Sequence, residues 1–194
     1  MISVRSVSVR RTNVLVVMSI KIQIKTELTE RKENDSMKTY KLFRIKNNKL
    51  YPLYVEANRE IPLGKWLRAE CGEKVDDTHV KARGCSGKLS LRPGFHSTNI
   101  PFTDWIGKKL PDGSLGQRAD TVWCECEVKG DEIECTERNG FRELQRDKWY
   151  YFRTNSKQEE PWIISDWIKV NRALGYEEVC EICAANGKIA QKLA

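Results

Sequence analysis

From residue 37 onward the chain alternates short apolar runs with polar, glycine-studded connections. "TYKLFRI" (39–45) and "KLYPLYV" (49–55) are rich in aromatic and branched side chains and are separated by "KNN". Asn47-Asn48 tolerates positive φ, so the two runs predict a β-hairpin. In "EIPLGKWLRAE" (60–70), Ile61, Leu63, Trp66 and Leu67 fall roughly on one side and predict a short helix or turn. "CGEKVDDTHVKARGCSGK" (71–88) is polar and predicts a long loop. "KLSLRPGFHSTNI" (88–100) returns to extended structure around Pro93-Gly94, which suits the centre of a type II turn. "PFTDWIGKKL" (101–110) predicts a helix from Thr103, and "LPDGSLGQRAD" (110–120) a further loop.

The clearest alternation is "TVWCECEVKG" (121–130). Val122, Cys124, Cys126 and Val128 face one way, and Trp123, Glu125 and Glu127 the other. Beyond a charged stretch, "KWYYFRTN" (148–155) and "PWIISDWIKVNRAL" (161–174) predict two more strands. "YEEVCEICAANG" (176–187) predicts a terminal helix that stops at Gly187. The expected architecture is therefore α+β: one domain at 37–187, with an irregular, twisted, mainly antiparallel sheet, two or three short helices, long loops, and a tail at 188–194.

Composition changes this picture in three places. With 40% hydrophobic residues and six tryptophans among 194, the chain can build a core, which excludes global disorder. The longest apolar run, "VLVVMSI" (14–20), is about a third of the roughly 20 residues that a helix needs to span a bilayer, so no membrane partner is expected. The first 36 residues are Ser-, Val- and Arg-rich with no acidic residue before Glu27. They match neither an export signal nor an amphipathic transit peptide. They read as an extension upstream of a start at Met37, with a flexible functional arm as the rival reading. The net charge of +7 divides into +3 over residues 1–36 and +4 over the remainder, without a Lys/Arg cluster. Nucleic acid is accordingly the less favoured partner. Seven cysteines, an odd number without a secretory signal, read as free thiols in a reducing cytoplasm.

Three groups of residues are candidates for chemistry. Cys180-x-x-Cys183 has metal-ligand spacing, but a structural zinc site needs a second pair, and beside Val179 and Ile182 the two cysteines serve as small apolar residues; no metal is expected. Glu125 and Glu127, roughly 7 Å apart on one strand face, suit acid–base or oxocarbenium-stabilising work, or simply a solvated edge. His96, one of two histidines, follows the Pro-Gly turn and precedes Ser97 and Thr98. It either ties down the following loop or, with a neighbouring hydroxyl, binds a ribose or activates a nucleophile. Arg92 and Arg44 would then supply cations for a phosphate or carboxylate. The tryptophans of the predicted strands read as core rather than base-stacking platforms.

The order of "YKLFRIKNNKLYPLYV", "IPLGKWLRAE", "LRPGFHS", "VWCECEV" and "WIISDWIKVNRAL", closed by "YEEVCEIC", resembles a group of uncharacterised proteins encoded by bacteriophages and prophages of gut bacteria, over roughly residues 38–187. That resemblance implies a setting, the cytoplasm of a bacterial host, rather than a reaction. A fainter similarity is to ADP-ribosyltransferase-like domains, in which an Arg or His, a Ser/Thr-containing strand and a Glu-x-Glu follow in that order. Arg44, His96–Thr98 and Glu125-x-Glu127 stand in the same order, but no glycine follows Arg44 and the glutamates lie within a strand. It implies NAD as cofactor, Arg44, Arg92, Ser97 and Thr98 as its ligands, and His96, Glu127 and Glu125 as catalytic groups. The expectation is a phage-related accessory or host-interaction protein with a nucleotide- or NAD-binding pocket around His96. The alternative is a non-catalytic module that binds a host protein or nucleic acid through loops 71–88 and 129–147.

Overall fold

A computed structural model describes residues 36–194. The expectations for the N-terminal extension, except at Ser36, lie outside the described residues. Among the described residues the strands and the α-helix follow in the order β1 (Ser36–Lys46), β2 (Lys49–Tyr51), β3 (Trp66–Arg68), β4 (His79–Lys81), β5 (Lys88–Ser90), β6 (Phe95–Ser97), β7 (Lys108–Lys109), β8 (Leu115–Gly116), β9 (Thr121–Lys129), β10 (Asp131–Glu132), β11 (Lys148–Phe152), β12 (Trp162–Ser165), β13 (Trp167–Ala173) and α1 (Tyr176–Ala185). The larger sheet has the order β2-β1-β9-β13-β3 and the smaller β10-β11-β12-β6; β4-β5 and β7-β8 are two-stranded. Between these named strands the ladders are antiparallel except the short parallel one of β10 and β11.

This mostly-β architecture corrects the α+β expectation. The 60–70 segment forms no helix: Trp66–Arg68 is instead the edge strand beside β13. The 101–110 segment is a series of turns that ends in β7. In both, apolar spacing compatible with one helical face came from residues that meet different neighbours: Ile61 bridges Leu50 while Leu63 bridges Val170. Of the helices expected at 60–70, 101–110 and 176–187, the terminal one forms. Residues 188–194, expected as a tail, pair with the body: Leu193 bridges Gln117, and Gln191 Nε2 donates to the carbonyls of Thr103 and Ile106.

Burial explains why β1 is long and central. Thr39, Tyr40, Leu42 and Phe43 are all buried, so the strand is covered on both faces. Phe43, Cys124, Cys126, Val128, Ile168 and Val170 of the larger sheet meet Ile163 of the smaller in the main core. Tyr40, Leu42 and Trp123 point the other way, against Val179 and Cys183 of α1. A third cluster, Tyr150, Phe152, Trp162 and Ile164, belongs to the smaller sheet. The predicted 161–174 strand is two strands broken at Asp166, where the chain passes from the smaller sheet to the larger. The predicted hairpin turn is present, with Asn47 at φ 51° and Asn48 at φ 57°.

Candidate functional site

β6 approaches the edge of β1 through one bridge, Tyr40 to Thr98, with reciprocal backbone hydrogen bonds of 2.8 Å. The ladder goes no further. Lys41 instead sends its Nζ to the His96 carbonyl, donating at 2.6 Å. Where the strands part, a cavity of about 370 Å³ opens, with Tyr40–Leu42 on one side and Leu91–Ser97 on the other. The β4–β5 region contributes Val80 and Leu89, and Trp105, Trp123 and Trp162 add aromatic surface. Such a size and largely apolar lining are typical of small-molecule sites.

The turn that shapes this wall rests on Gly94. Its φ is +134°, and a Cβ there would lie 2.5 Å from Ile164 Cγ2 and 3.2 Å from the Ser165 carbonyl oxygen. The glycine predicted for turn geometry is therefore also required by the close approach of its backbone to β12.

The desolvated polar groups of the cavity are cationic or neutral. Lys41 is desolvated, which pushes its ammonium down from the usual lysine range to about 8. Arg92 stacks over the Phe152 ring at 4.7 Å and is also shifted downward by burial. Among the described residues neither cation has a carboxylate partner. His96 Nδ1 lies 3.2 Å from the Gly94 carbonyl oxygen, and the ring meets Trp162 edge-on at 6.2 Å. Desolvation first, then the charges of Lys41 and Arg92, hold the imidazole down at about 3. At neutral pH the ring is uncharged, with Nδ1–H donating to Gly94 and the Nε2 lone pair left as acceptor. A histidine this reluctant to protonate is a hydrogen-bond acceptor for a ligand hydroxyl and a poor general base. The carboxylates in the lining, Glu56 and Glu70, are exposed, and Glu70 pairs with Arg59 at 3.1 Å.

The residues singled out from the sequence divide between this cavity and elsewhere. Arg92, His96 and Ser97 line it; Arg44, Thr98, Glu125 and Glu127 do not. Ser97 Oγ donates to the Ile163 carbonyl at 3.3 Å. Thr98 Oγ1 donates to the Ile100 carbonyl at 2.6 Å and is buried at the strand junction. Arg44 donates to the Ala57 carbonyl and stacks over Tyr51 at 5.4 Å. Glu125 pairs with Lys38 at 2.8 Å and Arg172 at 3.1 Å. Glu127 pairs with Lys169 at 2.9 Å and accepts from Ser36 Oγ and Asn171 Nδ2. These two carboxylates are consumed by their own face of the larger sheet, so His96 and Glu127 are not brought together as one catalytic group.

Lys41 is the cavity residue that sequence reasoning passed over. Its signal was present: "TYKLF" offers apolar or small residues to both faces, leaving its one lysine no wet side to occupy. The 71–88 segment is also not a free loop, since Val80 and Ala82 are buried and Val80 walls the cavity. Among the described residues no group of three or more His, Cys, Asp or Glu is placed to hold a metal ion. Cys183 is instead buried, with its Sγ 3.6 Å from the Pro101 carbonyl oxygen. Among the same residues no helix is long and apolar enough to cross a membrane. No family model, curated protein or solved structure matches the chain.

Proposed function

We propose that this protein binds a small organic anion of the nucleotide class in the cavity between β1 and β6. One observation carries the reading: Lys41 and Arg92 are desolvated in the wall of one cavity, and neither has a carboxylate partner among the described residues. Burying a cation without a partner costs several kcal/mol, roughly, and an anionic ligand recovers part of that cost on binding. The rest of the lining suits the rest of such a ligand. Trp105, Trp123 and Trp162 supply flat apolar surface for a base, and neutral His96 accepts a ribose hydroxyl. In the bacterial cytoplasm implied by the sequence resemblance, nucleotides are abundant anions of this size.

Titration calorimetry with AMP, adenosine and inorganic phosphate tests this. AMP is expected to bind, adenosine at least tenfold more weakly, and Lys41→Met to weaken AMP by ten- to a hundredfold. Equal binding of AMP and adenosine, or AMP binding indifferent to both Lys41→Met and Arg92→Gln, would overturn the reading. So would the absence of AMP binding at millimolar concentration.

A further inference from the structure

We propose that Lys41 is a covalent site, and that the ligand that exploits it is a ribose phosphate whose anomeric carbon is free, so that it opens to an aldehyde. This deepens the reading above and rests on it. Three chemistries meet in the cavity, and each selects one part of such a molecule. Arg92, with no carboxylate partner among the described residues, takes the phosphate. His96, its Nδ1–H committed to the Gly94 carbonyl, presents an acceptor to a sugar hydroxyl. Lys41 Nζ, which donates to the His96 carbonyl at 2.6 Å, has no carboxylate partner among the described residues to hold its proton.

Burial of Lys41 favours the free amine, against a smaller opposing effect of Cys126. Across the sheet its row partner on β9 is Cys124, and Cys126 lies on the same face; both thiols are buried and held neutral. From the other side comes His96, neutral, whose carbonyl accepts from Lys41 Nζ. The result is an ammonium that loses its proton near pH 8, so that about half is amine at that pH. A lysine desolvated in an apolar pocket is a recurring way to make an amine nucleophilic near neutrality.

The step is a condensation without redox change. The Nζ lone pair adds to the C1 aldehyde, the carbonyl π pair moves to oxygen, and proton transfer from nitrogen to that oxygen gives a carbinolamine. The hydroxyl then leaves as water after protonation, and the remaining N–H proton returns to solvent. A neutral imine and one water result. Arg92 holds the phosphate throughout, and the aromatic walls limit the water that would hydrolyse the imine.

The test incubates the protein with ribose 5-phosphate and borohydride, which delivers hydride to the imine carbon and fixes it as a secondary amine. Peptide mapping by mass spectrometry then locates the adduct. The expected result is labelling of Lys41 at least tenfold above the exposed Lys38, Lys49 or Lys74, suppression by excess AMP, and loss of the dominant adduct in Lys41→Arg. Label spread evenly over surface lysines, or adduct formation unchanged by AMP, overturns the proposal. Mapping of the wild-type protein decides the matter even where Lys41→Arg fails to fold. AMP binding without Lys41 labelling sinks this inference alone; absence of both sinks the binding reading as well.

Discussion

At the scale of single residues, His96 shows how a side chain's environment decides its chemistry. Near a Pro-Gly turn and a hydroxyl pair it reads equally as base, ligand or tie. Within the fold, desolvation and two neighbouring cations leave it neutral, with an acceptor nitrogen to offer. That has a consequence for stability. The unfolded chain takes up a proton at this ring near pH 6.5, whereas the folded protein resists until about pH 3. Between those values the unfolded state binds more protons, so stability is full above about 6.5 and falls as the pH drops towards 3. For a ring that keeps part of its surface open to the cavity, the loss should be on the order of 3 kcal/mol. Urea unfolding at pH 7 and pH 4 measures it: the difference between the two pH values should shrink by about that amount in His96→Gln. An equal acid loss in both proteins would show that the ring is not held neutral.

At the scale of elements, the cavity exists because two strands that begin to pair do not continue. The Tyr40–Thr98 bridge fixes their separation at one end, and the Gly94 turn curls the β6 entry against β12 at the other. Gly94→Ala places a methyl group where Ile164 and a backbone oxygen stand, at a φ that L-residues rarely adopt. It should cost about 3 kcal/mol and lower Tm by roughly 10 °C in thermal denaturation. It should also weaken AMP, because Arg92 and His96 are carried on either side of the turn. A variant with unchanged Tm would mean that the turn can shift away from β12 freely. The turn was legible from Pro93-Gly94, since Gly is the residue that accepts positive φ without penalty. The absence of a helix at 60–70 and 101–110 was not, because three or four apolar residues fit a helical face and a set of separate strand contacts equally well.

At the scale of the molecule, Asp166 joins the two sheets. It interrupts the run from β12 to β13, is buried, and accepts from Arg68 Nε at 3.0 Å, Arg146 Nη1 at 2.9 Å and the Asp147 backbone N–H at 2.9 Å. Its own backbone N–H donates to Lys148 and its carbonyl accepts from Ala69. The side chain thus links the end of β3, the entry to β11 and the crossover itself. Both arginines are about half exposed, so removing the carboxylate strands no buried charge. Asp166→Ala should still lower stability by about 2–3 kcal/mol through three lost charge-assisted hydrogen bonds, one of them to a backbone donor. Chemical denaturation checks this; a loss below 0.5 kcal/mol would assign the corner to backbone bonding alone.

What the sequence alone determined is local and periodic: the alternation of β9, the Asn47-Asn48 hairpin turn, the glycine requirement at 94 and the terminal helix. Each of these is set by residues within a few positions of one another, through strand pleating, positive-φ tolerance and helical spacing. Tertiary structure alone decided which charges meet. Glu125 and Glu127 are matched by Lys38, Arg172 and Lys169 from neighbouring strands, while Lys41 and Arg92 are left facing a cavity. Charge pairing depends on distances between residues far apart in the chain, and desolvation depends on what covers them. Neither quantity is written in the local pattern, although a lysine set among the buried residues of a strand covered on both faces shows where to look.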